Sequence, residues 1–242
     1  TGGKLSLQII PIFYLVVVGS LNLESLGNYN YFKLDLNTFS IPFTIISVLF
    51  LTNAFNYFDG VDGVLSFTSI STLSILYFLS PDVNMRLYLI IITLPIFIFL
   101  FFNFSILNVP KLFLGDSGSL LLGFTISFVL IYFANQKIVH PILLAWSVSI
   151  FVYEFISINL KRTMDKKDPF LAGLDHLHHL LLKKMNSVFL VNFLISFMNV
   201  IFFIIGYISF EFINPLTSFI MFIFLFIIFF ITRNNYFSLK NI

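Results

Sequence analysis

The chain alternates long apolar runs with short polar breaks, and the runs set the architecture. Eight segments, about 5–23, 39–55, 64–80, 86–104, 119–134, 140–160, 188–210 and 215–231, are almost wholly apolar. A helix crossing a bilayer needs about 20 such residues, so the pattern predicts an all-α, polytopic membrane protein of about eight transmembrane helices. Pro42 interrupts the second run, and several runs are a little short. Neither an internal repeat nor a low-complexity linker breaks the chain. One integral membrane domain, 1–242, is therefore expected, with polar loops at 56–63, 105–118 and 161–187.

Composition agrees with the pattern. The 242 residues are 59% hydrophobic and 10% charged, with 35 phenylalanines; a soluble domain carries about 25% charged residues. Cysteine is absent, which excludes disulfides and thiolate metal sites. No nucleic acid is expected as a partner. Eight alternating spans define two sides. Lys4, Lys111, Lys161, Arg162, Lys166, Lys167, Lys183, Lys184, Arg233 and Lys240 share one, against Lys33, Arg86 and Lys137 on the other. Ten against three makes the first side cytoplasmic. Asp59, Asp62, Asp116, His176, His178 and His179 fall on that same side, although none of them entered the assignment.

Three polar stretches carry candidate chemistry. In "NAFNYFDGVDG" (53–63), Asn53, Asn56, Asp59 and Asp62 recur every third residue. That spacing stacks side chains along one edge of a 3₁₀ turn and leaves neighbours touching on an α-helix. Two carboxamides and two carboxylates suit a metal-phosphate site, because magnesium prefers oxygen ligands; the bland reading is a polar turn between two helices. In "PKLFLGDSGSLLLGF" (110–124), Asp116 precedes Ser117, Gly118 and Ser119 at the head of a span. These residues read either as a helix cap or as an anion or metal-phosphate site with Lys111 as a nearby cation. In "KRTMDKKDPFLAGLDHLHHLLLKK" (161–184), Asp175, His176 and His179 could share a helix face. Leu174, Leu177, Leu180 and Leu181 read as an amphipathic face lying on the membrane, while the three histidines read as ligands of a transition metal or of a phosphate-bearing substrate. Glu154 is the one acid inside a span, a functional candidate by default with no role the sequence assigns. His140 is expected at the outer interface and Trp146 in packing.

These three stretches, in this order and separated by membrane spans, resemble the polyprenyl-phosphate N-acetylhexosamine-1-phosphate transferases, which include GlcNAc-1-phosphate transferases and the phospho-MurNAc-pentapeptide translocase. The resemblance covers nearly the whole chain. It implies transfer of a sugar-1-phosphate, GlcNAc-1-phosphate by the His-Leu-His-His form, from a UDP-N-acetylhexosamine to polyprenyl phosphate. UMP is released at the cytoplasmic face of the cell (inner or plasma) membrane, in the first membrane step of cell-envelope polysaccharide synthesis. It implies Mg²⁺, or Mn²⁺ in its place, ligated by Asp116. It further implies catalytic roles for Asp59, Asp62, Asp116 and His176, and substrate binding by Asn53, Asn56, Lys111, His178 and His179. A homodimer is compatible with it, and no stretch marks an interface. The chain departs from the family in lacking an early aspartate pair. "TGGKLSLQ" resembles the segment just after that pair, so an N-terminally truncated sequence is expected. Gly173 stands where an aspartate is common, and Glu154 occupies roughly the place of another. The rival readings are a multi-pass transporter and a catalytically dead remnant of the transferase fold.

Overall fold

The computed structural model describes residues 2–168 and 173–238. Thr1, Lys240 and residues 169–172 of the 161–187 loop lie outside the described residues. Each of the eight apolar runs forms helix. The first is α1 (Gly2–Phe13), continued by a π-helical turn at Tyr14–Val18. A two-stranded antiparallel hairpin, β1 (Ser25–Asn28) with β2 (Lys33–Asp35), then leads through a 3₁₀ turn into α2 (Ser40–Tyr57). The helices α3 (Val64–Leu79), α4 (Val83–Asn103) and α5 (Gly115–Asn135) follow. After them come α6 (Pro141–Ser147), α7 (Ser149–Met164), a short α8 (Leu177–Met185), α9 (Val188–Phe212) and α10 (Pro215–Ser238).

The structure is that of the expected all-α polytopic membrane protein, and the lengths of its apolar helices divide the eight runs into full and short spans. Among the described residues five helices are long and apolar enough to cross a membrane: Asn37–Tyr57, α4, α5, α9 and α10. The pair α6 and α7, bent by 73°, makes a sixth if counted as one span. Leu7–Val18 and Val64–Leu79 are shorter apolar helices. At 1.5 Å per residue the 16 residues of α3 reach about 24 Å, short of a hydrocarbon core of about 30 Å. Its surroundings explain the short length. Ser66, Thr68, Ser69, Ser71 and Thr72 are all buried, so α3 faces protein rather than lipid. Pro42 does not interrupt α2; it lies in the first turn, where a missing amide proton costs nothing.

The break between α6 and α7 has no proline or glycine behind it. The backbone groups it frees are instead satisfied by Asn199 of α9, completely buried. Its amide donates to Ser147 O at 3.1 Å, and its carbonyl accepts from Ile150 N at 3.4 Å. Thr72 Oγ1 adds a bond to Ser147 O at 2.9 Å. Irregular backbone inside a membrane protein is tolerated where protein groups re-satisfy it, and this asparagine does so. Trp146, just before the break, is fully buried, with its indole N–H donating to Ser218 Oγ at 2.9 Å.

Helix α2 packs along α5, where Ser119 and Gly123 face it: Asn56 donates to Ser119 Oγ, and Gly123 lies against Thr52 and Phe55. Small residues let membrane helices approach closely. On α2, Phe55 stacks on Phe151 of α7 with ring centroids 3.9 Å apart. This tight α2–α5–α7 contact fixes the distances between the loops at one end of the bundle. The hairpin sits at the other end, where half-buried His140 contacts Asn28 O at 3.1 Å.

Candidate active site at the polar end of the bundle

The row of Asn53, Asn56, Asp59 and Asp62 divides between helix and turn. Asn53 and Asn56 are on α2, while the amides of Phe58 and Asp59 bond to carbonyls three residues back, at 3.0 and 3.2 Å. The helix therefore tightens as it ends, and Asp59 and Asp62 ride the loop that follows. That loop turns into α3 at Gly63, whose φ of +77° is a conformation side chains disfavour.

The four residues do not share one edge. Asn53 points to α1, donating to Gln8 Oε1 at 2.9 Å and to Leu49 O at 2.8 Å; its expected place beside the substrate is not where its amide goes. Three residues on, and 60° around the helix, Asn56 donates to Asp116 Oδ1 at 2.9 Å and to Ser119 Oγ at 2.7 Å. It joins the first polar stretch to the second. Asp62 pairs with Lys111 at 2.6 Å, so the loops before α3 and α5 are tied together as well. Lys111 also lies 5.0 Å from the ring centre of Phe113. Asp116 does not cap its helix: it lies in the first turn, with Leu114 at the cap position.

The histidine segment closes over the same loop. His176 occupies the extended cap position of α8, so the three rings cluster in a way that helical spacing alone would not produce. His176 and His178 stack at 5.5 Å, and His178 and His179 lie 4.3 Å apart. Gly60 fits beneath them; a Cβ there would overlap the Nε2 atoms of His178 and His179. Tyr57 meets His176 edge-on at 5.0 Å. Leu177, expected on the membrane surface, is buried in the protein with His178, while Leu174 remains exposed. A pocket of about 220 Å³ opens beside the loop, with Asp59, Asp62, Ser66, Asn103 and Gly115 in its wall.

Electrostatics at this end are unusual. Burial of its lining and the nearby Asp116 charge push the Asp59 carboxyl up to about 6. Burial holds His176 down to about 4 and His178 to about 2, and it lowers His179 as well. All three rings are thus neutral at pH 7. Both ring nitrogens of His178 and Nδ1 of His176 are buried with no hydrogen-bond partner among the described residues, a costly state unless something else fills it.

Among the described residues no three His, Asp or Glu side chains form a ready metal cage. What is present is a carboxylate pair, Asp59 and Asp116, close enough for one charge to disturb the other. Magnesium takes one or two protein carboxylates and fills its remaining positions with water and phosphate oxygens. The donor set fits such an ion.

Two site-associated residues escaped the sequence reading. Arg233 of α10 holds Glu154 of α7 through two bonds, at 2.8 and 2.9 Å, with both side chains buried. Arg162 holds Asp175 at 2.6 Å. That pair keeps the Asp175 carboxyl near 2: burial pushes it up, but the Arg162 hydrogen bond and charge outweigh burial.

Residues 2–134, more than half of the chain, match the family model described as Glycosyl transferase family 4. The chain is 30% identical over 176 residues to an undecaprenyl-phosphate alpha-N-acetylglucosaminyl 1-phosphate transferase of Yersinia pestis, covering 70% of this chain and 48% of that protein. It is 28% identical, with the same coverage, to the protein of that name in Escherichia coli (strain K12). It is 30% identical over 158 residues to a probable undecaprenyl-phosphate N-acetylglucosaminyl 1-phosphate transferase of Bacillus subtilis (strain 168), covering 62% of this chain and 42% of that one. The chain spans about half the length of the curated relatives it matches. These relatives carry the activity name of the transferases that the ordered motifs resemble, and the chain itself belongs to glycosyl transferase family 4.

Proposed function

We propose that the protein transfers an N-acetylhexosamine-1-phosphate, GlcNAc-1-phosphate by its relatives' names, from a UDP-sugar to polyprenyl phosphate at the cytoplasmic face of the cell membrane. The step would begin assembly of a cell-envelope polysaccharide. One observation carries the reading: Asn56 on Asp116, Lys111 on Asp62 and Gly60 under His178 bring three distant polar stretches to one end of a membrane bundle. A water-soluble diphosphate and a membrane-held acceptor can meet there.

In the reaction an acceptor phosphate oxygen attacks the sugar-bearing phosphorus of the donor. A new P–O bond forms, the bond to the bridging oxygen breaks, and UMP leaves with that electron pair. Such transfers need positioning and charge neutralisation more than covalent help. Asp59 and Asp116 would hold Mg²⁺, which when bound supplies positive charge to the diphosphate oxygens. Asn56 orients Asp116 through its donated hydrogen bond. Lys111, partly exposed beside Asp62, can turn to screen phosphate charge. The histidines, neutral at pH 7, contribute hydrogen bonds rather than fixed positive charge, each ring offering one N–H donor and one acceptor nitrogen. Glu154, the intramembrane acid that a transporter would use, is consumed in an ion pair.

The test uses the full-length protein in detergent with Mg²⁺, polyprenyl phosphate and a panel of radiolabelled UDP-N-acetylhexosamines. Labelled lipid and UMP should appear with one donor, and Asp116→Asn should lower the rate at least 100-fold. Absence of labelled lipid with every donor, from folded protein beside a working control transferase, overturns the proposal.

A further inference from the structure

We propose that Arg233 and Glu154 are positioning residues that clamp the histidine segment over the loop at Gly60, an inference that rests on the transferase reading for its catalytic consequence. The contacts are specific. Glu154 Oε1 accepts from Leu177 N at 2.8 Å, and Arg233 Nη2 donates to Asp175 O at 2.7 Å. The backbone on each side of His176 is therefore gripped by a different membrane helix, α7 and α10. The two grips are locked to each other by the two-point ion pair. Arg162 adds a fork to the Asp175 carboxylate, at 3.0 and 2.6 Å.

Mere cohesion of α7 and α10 does not call for this arrangement. A buried ion pair pays a desolvation penalty that packed apolar side chains avoid, so it is weak evidence for stability and stronger evidence for fixed geometry. Tyr153, one residue before Glu154, already ties the same two helices, with its hydroxyl donating to Phe222 O at 2.7 Å and its ring against Phe226 and Phe229. What the charges add is the hold on Asp175 and Leu177. The planar fork of arginine suits it: one guanidinium serves two carboxylate oxygens and a carbonyl together, which a lysine cannot reproduce. Among the described residues neither charged side chain hydrogen-bonds a histidine ring, so their hold on the segment passes through the backbone at Asp175 and Leu177.

The experiment reads histidine exposure directly, without needing turnover. Full-length protein in detergent is treated with diethyl pyrocarbonate, and modification of each histidine is followed by mass spectrometry. In the parent, His176 and His178 should react at least tenfold more slowly than His179. Arg233→Met should raise both rates at least tenfold while His140, at the far end, is unchanged. Arg233→Lys and Glu154→Gln, milder changes that keep the packing, should give intermediate rates. Asn199→Ala, a buried change at the helix break, should lower the melting temperature without altering the protection of His176 and His178. In the transfer assay the order of activity should follow the order of protection, with Arg233→Met reduced at least 30-fold. Unchanged protection in a folded Arg233→Met protein, or loss of activity without loss of protection, overturns the clamp. If the parent transfers no sugar, the transferase reading fails, and the modification rates still decide whether the clamp exists.

Discussion

Replacing Asp59 by asparagine should stabilise the protein without divalent cations and destabilise it, relative to the parent, with them. Asp59 sits at about 6 against an ordinary 3.8, pushed up by burial and then by Asp116. A carboxyl raised in the folded state contributes stability that is complete below 3.8 and lost as the pH rises through about 6. At pH 7.5 the folded protein therefore carries the full cost of that charge. At about 1.4 kcal/mol per pKa unit the undiscounted cost is about 3 kcal/mol; Asp59 is open to water on one side, and solvent screening reduces this to about 1 kcal/mol. Asparagine keeps the shape without the charge. Its melting temperature in EDTA should rise by about 2–4 °C, and the gap should close by pH 4. A cation held between Asp59 and Asp116 reverses the order. At ten times its dissociation constant it stabilises the parent by about 1.4 kcal/mol, and the variant, short of one ligand, gains less. Tyrosine and Trp146 fluorescence during heating, in EDTA and in Mg²⁺, measures both arms. Equal melting in EDTA would show that Asp59 carries no excess charge cost; a full magnesium response in the variant would remove it from the metal's ligands.

Two further predictions concern the interior. Gly206→Ala places a methyl against the indole of Trp146, which is held by Ser218, itself bonded to Gly206 O at 2.9 Å. The indole must shift, at an overpacking cost of about 1–3 kcal/mol, visible as a lower melting temperature and altered Trp146 fluorescence; an unchanged melt would refute the tight contact. The buried histidines predict loss of stability in acid. A histidine depressed in the folded state keeps its contribution above about 6.5 and loses it as pH falls, so His178, at about 2, costs about 2 kcal/mol between pH 6.5 and 5. His178→Asn should flatten the melting temperature over that range, and an unaltered slope would mean that His178 is not held neutral.

Much of this organisation was legible because it follows from solvation. The apolar runs became helices, and the basic residues assigned Asp59, Asp116 and the histidines to one side before any contact was known. Rotation about helix axes was not legible. Asn53 and Asn56 have the same chemistry and lie three residues apart, yet one meets Gln8 and the other Asp116, because each amide takes the neighbour its own azimuth presents. Nor was the break before Ser149: it has no local sequence cause, and its support comes from Asn199, about fifty residues later.

The ion pair is different, because its signal is present in the sequence. An acid inside a span needs a partner. Glu154 lies in the later part of the apolar run 140–160, toward its basic side, and Arg233 follows the last apolar run at that same end. Pairing them requires only the topology that the positive charges had already supplied. The base that neutralises Glu154 lies on α10, and through α10 the pair reaches the backbone beside His176. In a chain with this much apolar surface, packing can be met by many side chains, whereas each buried charge admits few partners. The charged minority therefore carries a disproportionate share of the positional information, and the geometry of the site depends on it more than on the phenylalanines around it.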